Sequence, residues 1–224
     1  KTTRQNKGKI DKRLIAELGF DNGNVFSQLY VNRFKTVNVH LSIDASGSMY
    51  GKKIQNAIKS AVAIAKAASM TNNIDVQISV RGTAKEHAAV AIVYNSKKDQ
   101  LTHLTKYMGC VRAGGLTPEG LCFNALSKTI SEQKAESNIF VNYSDGMPYC
   151  NDYSGRTAIR HTKKEVDRLR YDGYKILSFF INEDDEYTRG KSDFTDMYGK
   201  DATFINPLNM MGVAKQLNGM FLGK

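Results

Sequence analysis

The sequence predicts an α/β fold: a doubly wound, mostly parallel central sheet flanked by helices and preceded by a basic N-terminal arm. Three observations carry this. From residue 37 onward, strand-like and helix-like segments alternate, the pattern of a sheet covered on both faces. The run Tyr174 to Ile181 (YKILSFFI) is continuously apolar, as strands buried on both faces are. The segment Gly51 to Met70 carries Ala57, Ala61, Ala65 and Ala68 on one face, which lets a helix lie close to a sheet.

The elements follow in order. Val37 to Ile43 reads as a buried strand, followed by the helix from Gly51 to Met70. Ile74 to Val80 (IDVQISV) alternates apolar and polar residues, and Ala88 to Tyr94 is a second β-rich run. The intervening RGTAKEH has the length and the glycine of a hairpin connection. Lys97 to Met108 and Pro118 to Gln133 read as helices, the second with Thr117 as N-cap and Pro118 at its first position. Asn138 to Tyr143 reads as a strand and Arg156 to Tyr171 as a charged amphipathic helix. After Tyr174 to Ile181 come a helix near Ser192 to Tyr198, a short strand Ala202 to Ile205 and a terminal helix from about Asn209 to Phe221.

At 224 residues and 41% hydrophobic content the chain supports one sizeable domain plus an appendage, divided here as an arm over 1–36 and a core domain over 37–224. The net charge of +10 raises the question of nucleic acid. Half of that excess lies in residues 1–36, where eight basic side chains face three acidic ones, and no nucleic-acid motif accompanies it. Nucleic acid is therefore disfavoured against an acidic protein partner. Within the arm, Ile10, Leu14, Ile15 and Leu18 recur at helical spacing and predict an amphipathic helix. No apolar run is long enough to span a bilayer. Cys110, Cys122 and Cys150 match no zinc spacing and read as reduced thiols, hence a cytoplasmic expectation. The opening KTTRQNKGK has no apolar core of a secretion signal, and Lys1 in first place reads as the start of a fragment or processed chain.

The chemistry concentrates in IDASGSM, Ile43 to Met49, where small oxygen donors follow a strand. In open α/β sheets ligands bind beyond the carboxyl ends of strands. Asp44, Ser46 and Ser48 sit at such an end; Thr117 in AGGLTPEG and Asp145 in YSDGMP stand in two further loops expected on the same rim. Taken alone, Asp-x-Ser-x-Ser is equally a helix-opening turn with serine caps. Three hydroxyls with two carboxylates are the donor set of a hard cation, Mg²⁺ or Mn²⁺, with Asp44 and Asp145 ligating directly or through water. A Gly-x-Ser-x-Gly elbow is absent, and Ser46 stands where an aspartyl phosphatase needs a second carboxylate. No general base is read among the residues of the metal loops, so the domain is not expected to be an enzyme by itself. The acidic run NEDDEY, Asn182 to Tyr187, follows a strand end on the same rim and reads as a solvated or partner-selecting loop.

DASGS, GGLT and SDG together resemble the metal-ion-dependent adhesion site of von Willebrand factor A domains. More narrowly, GKIDKRLIAEL, FKTVNVHLSIDASGSMYGKKI and YSDGMP are similar to the C-terminal A domain of the T subunit of aerobic cobaltochelatase. The resemblance implies a non-catalytic subunit of a cobaltochelatase-like, ATP-dependent complex. Its expected partners are a MoxR-type AAA+ ATPase, a large chelatase subunit and an acidic side chain completing the metal site, with no membrane. The alternatives are an A-type nucleic-acid or ribonucleoprotein module and a metal-dependent phosphoryl hydrolase.

Overall fold

The computed structural model describes residues 2–29, 35–85, 87–130, 135–181 and 188–205. The expected helix over 209–221 and the acidic run 182–187 lie outside them. The chain divides into two compact units, Lys1–Phe34 and Lys35–Lys224.

In the first unit, strands β1 (Thr2–Gln5), β2 (Lys9–Ile10) and β3 (Phe26–Gln28) form an antiparallel sheet in the order β1-β3-β2. The helix expected over 8–18 does not form. Asp11 accepts hydrogen bonds from the Arg13 amide (3.2 Å) and from its guanidinium Nη2 (2.7 Å), turning the chain after Ile10. Only a 3-10 helix, Ile15–Phe20, follows.

The second unit is built on six strands: β4 (Val37–Asp44), β5 (Ile74–Ala84), β6 (His87–Asn95), β7 (Ser137–Ser144), β8 (Tyr174–Ile181) and β9 (Ala202–Ile205), in the order β6-β5-β4-β7-β8-β9. All neighbours are parallel except β5 and β6. Helices α1 (Lys52–Ala68) and α2 (Leu101–Met108) pack together over one face; α3 (Glu119–Ile130), α4 (Gly155–Tyr171) and α5 (Thr188–Tyr198) cover the other. The doubly wound, mostly parallel architecture is as the sequence predicts. No helix among the described residues is long and apolar enough to cross a membrane.

Two boundaries differ with consequence. α2 starts at Leu101 because Asn95 and Asp99 close a turn first, the Asp99 carboxylate accepting the Asn95 amide at 2.8 Å and Asn95 Oδ1 the Lys97 amide at 3.0 Å. β5 runs on to Ala84, pairing Ala84 with His87, so most of the expected hairpin connection is strand. That extension puts Arg81 in the sheet.

Every residue of β4 is buried, although its sequence VNVHLSID alternates. Val37, Val39, Leu41 and Ile43 enter the core under α1 and α2. On the opposite face, Asn38, His40, Ser42 and Asp44 form a buried polar seam. His40 is held as a neutral imidazole: Nδ1 meets Gln77 Oε1 at 3.0 Å, Nε2 meets Ser79 Oγ at 2.9 Å, and the ring stacks on Phe140 with centroids 5.3 Å apart. Burial lowers its pKa to about 4, against a hydrogen bond to Gln77 that raises it. Between about pH 6.5 and 4 the unfolded chain therefore takes up a proton that the folded chain refuses. This contribution to stability is full above pH 6.5 and falls toward pH 4, by about 3 kcal/mol. Urea unfolding of the wild type and His40→Gln from pH 7.5 to 4.5 should show the wild type losing stability relative to the variant as pH drops; parallel profiles would remove His40 from this role.

Candidate metal centre

Strand order reverses at β4, with β5 laid on one side and β7 on the other, and the crevice of an open α/β sheet lies at such a switch. Asp44 ends β4, and Asp145 follows the last residue of β7. Between Asp44 and α1 the chain makes one short 3-10 turn, Gly47–Met49. Ser46 precedes that turn and makes no side-chain cap hydrogen bond, and Gly51, not a serine, caps α1. The plain capping role open to these serines is thus unfilled.

Instead their hydroxyls join the candidate site. Ser46 Oγ lies 3.1 Å from Ser48 Oγ, and Ser48 Oγ donates to Asp145 Oδ1 at 2.7 Å. Asp44 accepts the Ser46 amide at 2.8 Å through one carboxylate oxygen and the Ser144 hydroxyl at 3.1 Å through the other. Ser46, Ser48, Thr117 and Asp145 line one cleft of about 470 Å³, together with Lys53, Gly115, Leu116, Gly146, Met147 and Tyr149. Asp44 lies beneath it, with no exposed surface. Thr117 is 7% exposed at the wall of this cleft.

The backbone holds this arrangement. The amide of Gly47 donates to Gly115 O (3.0 Å), that of Gly114 to Ala45 O (2.8 Å), and that of Ala45 to Arg81 O (2.9 Å). Thr117 and Tyr149 exchange two backbone hydrogen bonds of 2.8 Å, tying the loop before α3 to the loop after Asp145. Gly115 has φ +74°, and a side chain there would strike the Thr83 hydroxyl, which accepts the Leu116 amide at 3.1 Å.

Sequence reasoning missed what lies underneath. Arg81 is 1% exposed; its Nη2 donates to Glu119 Oε1 at 2.7 Å and lies 3.7 Å from Asp44 Oδ2. Its Nη1 donates to Ser42 O and Oγ, Nη2 also to Tyr143 O, and the guanidinium sits over the Phe123 ring at 5.4 Å. Asn142 Nδ2 donates to Glu119 Oε1 (3.1 Å) and to Tyr198 Oη (2.8 Å). Burial pushes the Asp44 and Glu119 carboxyls above the usual range, and Arg81 pulls both back down. Lys53, from the first turn of α1, was missed too: its Nζ lies 2.6 Å from Asp145 Oδ2.

The hydroxyls and carboxylates gathered here are hard oxygen donors, which suits a hard divalent cation. Among the described residues no three His, Cys, Asp or Glu side chains converge, so the hydroxyls are indispensable to this fit. Among the described residues no histidine or glutamate lines the cleft. Glu119 is engaged by Arg81, and burial pushes the Cys122 thiol up to about 11, which removes it as a nucleophile.

Solved structures share this architecture at low identity. The von Willebrand factor domain of the type V pili tip protein Mfa5 from Porphyromonas gingivalis superposes with a TM-score of 0.65 at 11% identity, covering 83% of this chain and 96% of that one. The chain has the fold of a von Willebrand factor A domain. A von Willebrand factor type A protein from Catenulispora acidiphila matches with a TM-score of 0.57 at 16% identity, over 84% of this chain and 42% of that one. The manganese-loaded TRAP protein of Plasmodium vivax matches with a TM-score of 0.60 at 13% identity, over 84% and 73%. The family described as "Cobalamin biosynthesis protein CobT VWA domain" matches residues 25–90, which hold Asp44, Ser46 and Ser48 but neither Thr117 nor Asp145. A comparison with curated protein sequences finds no match.

Removing Arg81 should be costly for this A domain, because it strands two buried carboxyls. Arg81→Met is expected to destabilise by about 3–5 kcal/mol, and Glu119→Gln, which keeps the shape and relieves one charge, by clearly less. Denaturant unfolding of both checks this, and equal losses would contradict it.

Proposed function

We propose that this A domain is a divalent-cation-dependent adaptor that binds a partner protein through an acidic side chain. The observation that carries the reading is the cleft at the β4–β7 switch, where Ser46, Ser48, Thr117 and Asp145 converge above buried Asp44, with no histidine or glutamate among the described residues that line it. It corresponds to the metal-ion-dependent adhesion site that the sequence resembles. Mg²⁺ or Mn²⁺ would be held by the hydroxyls of Ser46, Ser48 and Thr117, with Asp44 and Asp145 ligating directly or through water. A bound cation supplies a Lewis-acidic position that a partner carboxylate can occupy.

The chain's own residues prepare that encounter. Arg81 offsets the charge of Asp44, and the neutral hydroxyls add none, so a bound dication keeps positive charge to offer. Tyr50 and Tyr149 are exposed, 82% and 54%, and Tyr149 borders the cleft, giving a partner flat amphipathic area beside the charge. The match to the CobT A domain supports the finer reading: a non-catalytic, cytoplasmic subunit of a cobaltochelatase-like complex working with a MoxR-type AAA+ ATPase, the residues over 1–36 serving as a basic arm. A phosphoryl hydrolase would need a base that the described residues of the cleft do not offer.

Ser46→Ala with Ser48→Ala should abolish Mg²⁺ and Mn²⁺ binding in calorimetry and Mg²⁺-dependent capture of an ATPase ring, while changing stability by about 1 kcal/mol or less. Retained capture in the double variant, or equal capture in Mg²⁺ and in EDTA, would contradict the adaptor reading. Tight Zn²⁺ binding without Mg²⁺ binding would contradict the cation assignment.

A further inference from the structure

The proposed adaptor role leaves Lys53 unused, yet the fold places it at the site. Its side chain is 19% exposed, where Lys97 and Lys163 in their surface ion pairs are 49% and 53% exposed. Its partner Asp145 has 1% side-chain exposure. Both Asp145 oxygens are engaged, Oδ1 by the Ser48 hydroxyl at 2.7 Å and Oδ2 by Lys53 Nζ at 2.6 Å. The position is otherwise a poor one for a cation: Lys53 stands in the first turn of a seventeen-residue helix, at the positive end of its dipole, with no acidic residue in that turn. Asp145 is its ion-pair partner among the described residues.

We infer that Lys53 is a built-in monovalent cation that neutralises Asp145 until a divalent metal displaces it. Metal entry and release of the ammonium are then one exchange. The inference rests on the reading of the cleft as a divalent-cation site. Its logic is electrostatic. A dication arriving while the ammonium stays would crowd both cations, with Arg81 close by, against the two carboxylates of Asp44 and Asp145. Of the two groups on Asp145, the lysine is the one able to leave, because its flexible stem swings to solvent without moving backbone. Ser48 is fixed in the short turn of the metal loop. The exchange keeps the buried carboxylate paired in both states and sets a threshold of divalent ion below which the site offers a partner's carboxylate no metal.

Two measurements on the 224-residue chain test this. Calorimetry with Mn²⁺ should show Lys53→Met binding about tenfold more tightly than wild type, as expected when a competing ion pair of about 1.4 kcal/mol is removed. Lys52→Met, on the same helix but outside the cleft, should change affinity less than about twofold. Independently of any variant, acetic anhydride labelling read by mass spectrometry should find Lys53 more reactive with Mg²⁺ than with EDTA. Equal or weaker Mn²⁺ binding by Lys53→Met, or labelling of Lys53 indifferent to Mg²⁺, overturns the exchange while leaving the metal site standing. No binding of Mn²⁺ by wild type and variant alike would overturn the metal site and the exchange together.

Discussion

A permanent positive charge without access to water sits at the centre of this domain. Arg81 keeps its guanidinium ionised at any ordinary pH, so the surroundings must supply compensation. Asp44 from β4 and Glu119 from α3 do so, with the carbonyls of Ser42 and Tyr143 and the ring of Phe123 completing its enclosure. Three adjacent strands and the helix over them are thereby held in one register. A slip of a single residue in β5 would turn the guanidinium to the opposite face, into the apolar core under α1. Buried ion pairs of this kind contribute little net stability against an apolar replacement, but breaking one is expensive, so they act as a condition on the fold.

The same constraint prepares the cleft. Because Asp44 is neutralised from below by Arg81 and anchored by the Ser46 amide and the Ser144 hydroxyl, the loop carrying Ser46 and Ser48 leaves β4 in one direction. The Gly114–Gly115 backbone clamps that loop, and the Thr117–Tyr149 bridge ties the other two loops to each other. The hydroxyls are therefore positioned by strand ends and backbone hydrogen bonds and need little reorganisation to meet a cation. The work of the polar seam and the work of the rim are linked through a single carboxylate.

Much of this was legible in the sequence. The alternation of elements and the apolar run of β8 gave the layers. The donors of DASGS, GGLT and SDG point to one rim because each stands at a strand end or a helix start, and the structure brings Ser46, Ser48, Thr117 and Asp145 to one cleft above buried Asp44. What escaped has a common cause: long-range pairing. RGTAKEH reads as a connection, which would leave Arg81 in a hairpin loop, and only the extension of β5 along β6 turns it inward. Glu119 looks like an ordinary first-turn acid of α3, a position that usually faces water, and nothing local says that it meets Arg81. Lys53 reads as one of a pair of solvated lysines opening α1, and its partner lies 92 residues away. The failed arm helix shows the reverse, a periodicity too short to outweigh the turn made by Asp11 and Arg13.

The proposed function depends on one divalent cation binding at the β4–β7 switch. The most direct test is a Mn²⁺ titration followed in amide NMR spectra, since the paramagnetic ion broadens only nearby resonances. The account predicts that residues 44–48, 114–117 and 144–146 broaden first and most at the first additions of Mn²⁺, with the opposite ends of β4 and β7, at Val37 and Ser137, least affected. Broadening centred elsewhere, or these three loops left sharp at saturating Mn²⁺, would contradict it.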